Sequence, residues 1–313
     1  MRTPKKFVGK IISFIIASLV TVTILAITGI LPKLIQKFEN ALEYSRAFSA
    51  SVGEGEIFIH VIDVGQGDAI LIRSADGNIL VDTGTNDSEN ELVAHLNACG
   101  VKTVNYLICS HAHSDHIGGA DEVLEKFAVC AIIIPYVDEI TSDIESMLFE
   151  MKNGNVPSII HPERGDTYSL GDISFTALTP IGDFADGNDT SLVIKLSFGE
   201  TSFLFTGDIS EDVERELIAT YQNGELDCDF LKIAHHGSNT STSAEFVAAV
   251  TPIVASVSSG EYNDFGHPRR EVLQRLRDGG CEEIYRTDKM SSIVLRSDGS
   301  EITLVATREG ALE

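Results

Sequence analysis

The hydrophobic pattern divides the chain into three stretches. Residues 11–31 carry 21 positions without a charge, and Pro32 closes the run. At about 1.5 Å per residue, a helix of that length crosses a bilayer, and it exceeds the apolar core of a signal peptide. Residues 1–10 form a basic leader, and the run at 11–31 is predicted to be an uncleaved transmembrane anchor. Over 32–55, Leu34, Ile35, Phe38, Leu42 and Tyr44 recur at roughly helical spacing, as in a short amphipathic linker helix. From residue 56 onward the period shortens. Apolar runs at 58–61, 69–72, 78–81, 106–110, 131–134, 173–178, 191–198, 202–205, 230–234 and 253–256 read as strands. Between them, 89–99, 120–127, 142–152, 211–221, 244–250 and 270–277 read as helices, the first ended by Gly100. Such an order predicts an α/β domain over 56–313, with two sheets packed together and helices on both outer faces.

Charge sharpens the division. The first 50 residues hold seven Lys/Arg and two Glu, so the formal net charge of −24 becomes −29 over residues 51–313. That field repels polyanions and opposes non-specific nucleic-acid binding, unless bound cations offset it locally. Arg2, Lys5, Lys6 and Lys10 precede the apolar run. They predict a cytoplasmic N-terminus and an extracytoplasmic domain on a single-pass cell-membrane anchor. The five cysteines are odd in number and several sit in apolar runs, so they read as small core residues and not as a disulfide framework.

Chemistry concentrates where strands end. The run at 106–110 leads directly into His111-Ala-His113-Ser-Asp115-His116-Ile-Gly118-Gly119. Side chains two apart on an extended chain share a face, so His111 and His113 point the same way. A turn at Ser114–Asp115 into a helix brings Asp115 and His116 back toward them. Two pairs of nitrogen and carboxylate ligands from one loop suit two neighbouring divalent ions, Zn²⁺ first and Mn²⁺ second. Thr206-Gly207-Asp208, His235-His236-Gly237 and Gly266-His267-Pro268 also follow strands or their loops, which makes Asp208, His235, His236 and His267 candidate ligands. The turn at 63–68 is expected to line the site, and Asp82-Thr83-Gly84 to support it. His60, His95 and His161 have no such company and read as structural.

Together these motifs resemble the metallo-β-lactamase fold and, more closely, the hydrolase domain of ComEC-type competence proteins. The segments carrying the closer match are Ile62-Asp-Val-Gly-Gln-Gly-Asp-Ala69, Leu80-Val-Asp-Thr-Gly84, Ser110 to Gly119, Asn188-Asp-Thr-Ser-Leu192, Leu204-Phe-Thr-Gly-Asp208, Leu231-Lys-Ile-Ala-His-His-Gly-Ser238 and Phe265-Gly-His-Pro268, over about residues 56–296. The resemblance implies an αββα fold with a two-metal site at the sheet edges. His111 and His113 would hold one ion, Asp115 and His116 the other, and Asp208 would bridge them. His235 and His267 would complete the ligand sets, with His236 either a ligand or the acid that protonates the leaving oxygen. Two features depart from the wider pattern. Asn188 and Asp189 stand where many such hydrolases place a third histidine, and one apolar run replaces the many spans of a competence channel. The reading is a membrane-anchored hydrolase acting through a metal-activated hydroxide on a phosphodiester, either single-stranded DNA or an envelope phosphodiester. Its alternatives are a lactone, thioester or β-lactam hydrolase, and a non-catalytic metal-binding partner of an envelope or DNA-uptake complex.

Overall fold

The computed structural model describes residues 51–136, 140–154, 158–179, 187–222 and 224–307, together with 26, 28–33, 35 and 48. Most of the predicted anchor at 11–31 and of the linker at 32–55 lies outside the described residues. Among the described residues, no helix is long and apolar enough to cross a membrane.

Alternation along the strands builds two sheets. The first runs β15 (Ile302–Thr307), β14 (Ile293–Ser297), β1 (Ile57–Val61), β2 (Ile70–Ser74), β3 (Gly77–Val81), β4 (Thr103–Ile108), β5 (Ala128–Ile133) and β6 (Ile159–Ile160). The second runs β13 (Glu283–Arg286), β12 (Val254–Val257), β11 (Phe230–Lys232), β10 (Thr201–Phe205), β9 (Ile194–Phe198), β8 (Ile173–Ala177) and β7 (Thr167–Leu170). Successive side chains face opposite ways, which sorts each strand between two cores. Ile57, Ile59 and Val61 join Phe203, Phe205 and Phe230 in the layer between the sheets. Leu71, Leu80 and Leu107 face outward, beneath helices α1 (Glu89–Ala98), α3 (Ala120–Lys126) and α4 (Ser142–Gly154). On the other side, Leu204, Leu231 and Ala255 pack under α5 (Glu211–Thr220), α6 (Ala244–Val250) and α7 (Arg270–Asp278). The result is the predicted four-layer order of helices, sheet, sheet and helices.

Two further helices are short: α2 (Ser114–Ile117) and α8 (Thr287–Met290). Strands β13, β14 and β15 all lie beyond the last predicted helix. In β14 only Ile293–Leu295 are apolar before Arg296 interrupts, so the run is too short to stand out. Yet β14 pairs with β1 from Ile57↔Ser297 to Val61↔Ile293 and lies between β1 and the edge strand β15.

Parallel pairing positions the site. β3 runs parallel to β4, while β10, β11 and β12 run parallel to one another. Their carboxyl ends deliver the loops beginning at Asp82, Cys109, Thr206, Ile233 and Ser258, and a crevice outside such ends is where α/β sheets bind ligands.

Candidate metal centre

The loop after β4 is built to fold back on itself. His113 is extended (φ −77°, ψ 148°) and starts α2, which returns Asp115 and His116 toward the strand ends. Close backbone packing holds this turn: a Cβ on Gly67 would sit 2.5 Å from the Asp115 carbonyl oxygen, and one on Gly118 would sit 2.4 Å from that of Ser114. After β11 the chain takes two successive left-handed residues, His235 (φ 51°) and His236 (φ 52°). Neither is glycine, so this backbone is strained, a condition that concentrates at functional sites.

One ligand atom from each of Asp115, His116, Asp208 and His236 lies within 4.8 Å of the others. His116 Nε2 is 3.3 Å from one Asp208 oxygen, and His236 Nε2 is 3.4 Å from the other. His236 Nε2 also stands 3.2 Å from Asp115 Oδ2. Two nitrogen or oxygen ligands on one tetrahedral Zn²⁺, each near 2.0–2.1 Å from it, lie roughly 3.3 Å apart. The spacing therefore matches groups that share an ion.

Hydrogen-bond partners fix which nitrogen each imidazole presents. His116 Nδ1 lies 2.9 Å from Asp82 Oδ2, and His236 Nδ1 lies 3.0 Å from the Ser258 carbonyl. Both partners can only accept, so both Nδ1 atoms carry hydrogen. His111 Nδ1 faces the hydroxyls of Ser110 (3.1 Å) and Ser191 (3.3 Å). Those hydroxyls spend their own hydrogens on Asp82 Oδ2 and the Asn188 carbonyl, so His111 Nδ1 is again the donor. Three imidazoles are thus left with Nε2 for a ligand. His111 Nε2, His116 Nε2 and Asp208 Oδ1 are buried and have no hydrogen-bond partner. Orphaned lone pairs of this kind, on side chains oriented from behind by carboxylate, carbonyl and hydroxyl groups, fit divalent metal ions.

Electrostatics agree. Burial lowers the His116 and His236 imidazoles, but the Asp208 charge, with help from Asp82 at His116 and Asp115 at His236, lifts both well above the usual range. Burial pushes Asp208 up, yet the charges on His236 and His116 hold it well below the ordinary carboxylate range. Without an ion, protons occupy the position a cation would take. Zinc uptake should therefore expel protons, and the affinity of the chelator-stripped chain should rise as pH climbs through neutrality. Calorimetric titration in buffers of different ionisation enthalpy reads this directly, and an affinity independent of pH would contradict it. The raised imidazoles stabilise the metal-free fold fully below their ordinary value of 6.5. That contribution disappears as pH rises through their folded values, so the stripped chain should melt at lower temperature in alkaline solution.

The remaining expected ligands stand further out. His113 is exposed, with its ring 4.6 Å from that of His111. His235 Nε2 is 3.9 Å from Asp208 Oδ2, and His267 reaches His235, ring to ring, at 5.9 Å. Phe265 stacks on His267, and Asn263 accepts a hydrogen bond from its backbone N–H. Burial and neighbouring imidazoles push His267 down to about 4. It is His236, held from behind by Ser258, that joins the cluster, while His235 and His267 line its rim.

One supporting residue is not singled out by sequence. Lys232 is fully buried in β11 and pairs with Asp68 at 2.6 Å. Asp68 Oδ1 in turn lies 3.6 Å from His236 Nδ1. A lysine inside an apolar strand was the available signal.

Residues 62–255 match the metallo-beta-lactamase superfamily, and the chain belongs to that family. It is 33% identical over 264 residues to ComE operon protein 3 of Bacillus subtilis (strain 168), covering 78% of this chain and 33% of that protein. It is 32% identical over 247 residues to competence protein ComA of Neisseria gonorrhoeae, covering 76% of this chain and 32% of the relative. The chain thus spans about a third of the length of these curated relatives. Among solved structures, the metallo-beta-lactamase fold protein YhfI from Bacillus subtilis aligns with a TM-score of 0.52 at 15% identity, over 77% of this chain and all of that one. Fold, family and donor set together define a metal-dependent hydrolase domain of ComEC type.

Proposed function

We propose that this chain is a phosphodiesterase that uses two divalent ions, Zn²⁺ or Mn²⁺, held at the cluster. The observation that carries the reading is the orientation of three imidazoles, each with Nδ1 committed to an acceptor and Nε2 left free of protein acceptors or turned toward Asp208. His111 and His113 would hold one ion, and Asp115, His116 and His236 the other, with Asp208 between them. Bound there, divalent ions supply Lewis acidity toward a phosphoryl oxygen and a water acidic enough to attack at neutral pH.

The chain's own groups do the positioning. Asp82 holds His116, Ser258 holds His236, and Ser110 with Ser191 holds His111. His236 is read as a ligand and not as the leaving-group acid, because its Nε2 points into the cluster, 3.2 Å from Asp115 and 3.4 Å from Asp208. A phosphodiester is favoured over an acyl substrate by the relatives' competence names, and the acidic domain confines an anionic substrate to the cluster. A domain of charge −29 binds an anion only where cations offset it. The lack of excess positive charge favours single-stranded ends or small envelope phosphodiesters over tracking along duplex DNA.

The test is a substrate panel for the metal-reconstituted chain. Bis(p-nitrophenyl) phosphate and single-stranded DNA should be hydrolysed, and His113→Ala should abolish turnover. Hydrolysis of a lactone, thioester or β-lactam with no phosphodiester cleavage would replace this reading with acyl hydrolysis. We also place the domain outside the cell on the 11–31 anchor. Protease added to intact cells should remove it, and full protection would show the opposite orientation.

A further inference from the structure

A second group of metal-capable side chains lies outside this centre. His60 points outward from β1, the opposite side from Ile59 and Val61, and meets His95 and Cys99 at the end of α1. All three are buried. One atom from each, either an imidazole nitrogen or the thiol sulfur, lies within 4.8 Å of the others. His60 Nδ1 stands 3.1 Å from His95 Nε2 and 3.8 Å from Cys99 Sγ. For ligands on a tetrahedral ion with Zn–N near 2.0–2.1 Å and Zn–S near 2.3 Å, the expected separations are roughly 3.3 and 3.6 Å.

We propose that His60, His95 and Cys99 form a separate site for a thiophilic divalent ion, Zn²⁺ above all, which ties the end of α1 to β1. Two imidazoles and a thiolate are soft donors of the kind that select zinc over magnesium or calcium. A cavity of about 1050 Å³ borders His95 and is also lined by Asp63, Asp87 and Glu91. It gives a cation an acidic approach and leaves room for water as a fourth ligand. Phe48 lines the same cavity, its ring 5.5 Å from that of His60 and 4.5 Å from that of His95.

Binding requires Cys99 to lose its proton to solvent as the sulfur–metal bond forms. Burial holds the free thiol up at about 12, although Arg73 works in the opposite direction. Without an ion the thiol is therefore protonated, and uptake is favoured by rising pH. The site is independent of the hydrolase reading, because no sulfur belongs to the other cluster.

That difference supplies the experiment. The full chain, stripped with chelator, is titrated with Co²⁺, which gives a sulfur-to-cobalt charge-transfer band only where a cysteine ligates. The band should appear and saturate near one equivalent per site. It should persist in Asp208→Asn, which alters only the hydrolytic cluster, and in Cys130→Ser, which removes the exposed thiol. Cys99→Ser should abolish it, and His95→Gln should weaken cobalt binding at least about tenfold. No band in the wild-type chain overturns the proposal, and so does a band that survives Cys99→Ser or disappears with Cys130→Ser. A wild-type chain with no band overturns the proposal even if a variant fails to fold.

Discussion

Asp208→Asn should lower phosphodiester turnover by more than about a hundredfold while leaving the chain folded. Support residues behind metal ligands cost about 10–100-fold when altered, and a shared ligand should cost more. Asp208 is the carboxylate that approaches both His116 and His236, at 3.3 and 3.4 Å. The amide keeps the shape and one acceptor but removes the charge that draws cations to this point. Metal content should fall with activity. Asp82→Asn should cost less, about 10–100-fold, because Asp82 acts through His116. Asn188→Ala, beside the cluster, should retain more metal than Asp208→Ala. Rates on bis(p-nitrophenyl) phosphate, with elemental analysis of the same samples, check all of this. An Asp208→Asn enzyme with normal metal and normal turnover would remove Asp208 from the centre.

Lys232→Met should have the largest effect on stability, a loss of about 3–5 kcal/mol, as expected when one partner of a buried ion pair is removed. Both Lys232 and Asp68 are buried, and Nζ lies 2.6 Å from the carboxylate. Lys232 also donates to the Ile233 carbonyl at 2.8 Å. Burial raises the Asp68 carboxyl, but Lys232 and the adjacent His236 and His116 overcome it and hold the group well below the ordinary range. Without the ammonium, that carboxylate remains buried with only imidazoles as counter-charges. Replacing the pair together, as Lys232→Met with Asp68→Leu, should recover part of the loss, because no charge is then stranded. Denaturant unfolding of the two single variants and the double variant measures the coupling. Additive losses would show that the pair does not interact. Since Asp68 faces His236, these variants should also weaken metal binding at the cluster.

Much of this molecule was legible in one dimension because its layers repeat a simple rule. Each inner strand alternates between two apolar cores, as Ile79, Leu80 and Val81 do, so the strands announced themselves. The loop from His111 to His116 was legible for a related reason. A strand end followed by a tight helical turn places side chains in a predictable way, and the structure draws Asp115 and His116 together with Asp208 and His236. Partners separated by long stretches of chain were not legible. Asp82 reads as part of a supporting strand-end turn, but its pairing with His116, 34 residues away, does not, and Ser258 contributes only a carbonyl, which no side-chain pattern reveals. Choosing between His235 and His236 depended on two left-handed residues in succession, a conformation that adjacent histidines do not advertise. The same limit hid the pairing of His60 with His95 and Cys99, which requires the packing of α1 on β1.

Hydrolysis should require a metal centre formed by the groups around Asp208. The direct measurement is anomalous diffraction from crystals of the zinc-reconstituted chain, recorded on both sides of the zinc absorption edge. Strong difference peaks should appear within bonding distance of Asp208, His116 and His236, and of His111, with turnover lost on chelation and restored by zinc. Hydrolysis that continues in chelator, or crystals with no anomalous peak at Asp208, would contradict it.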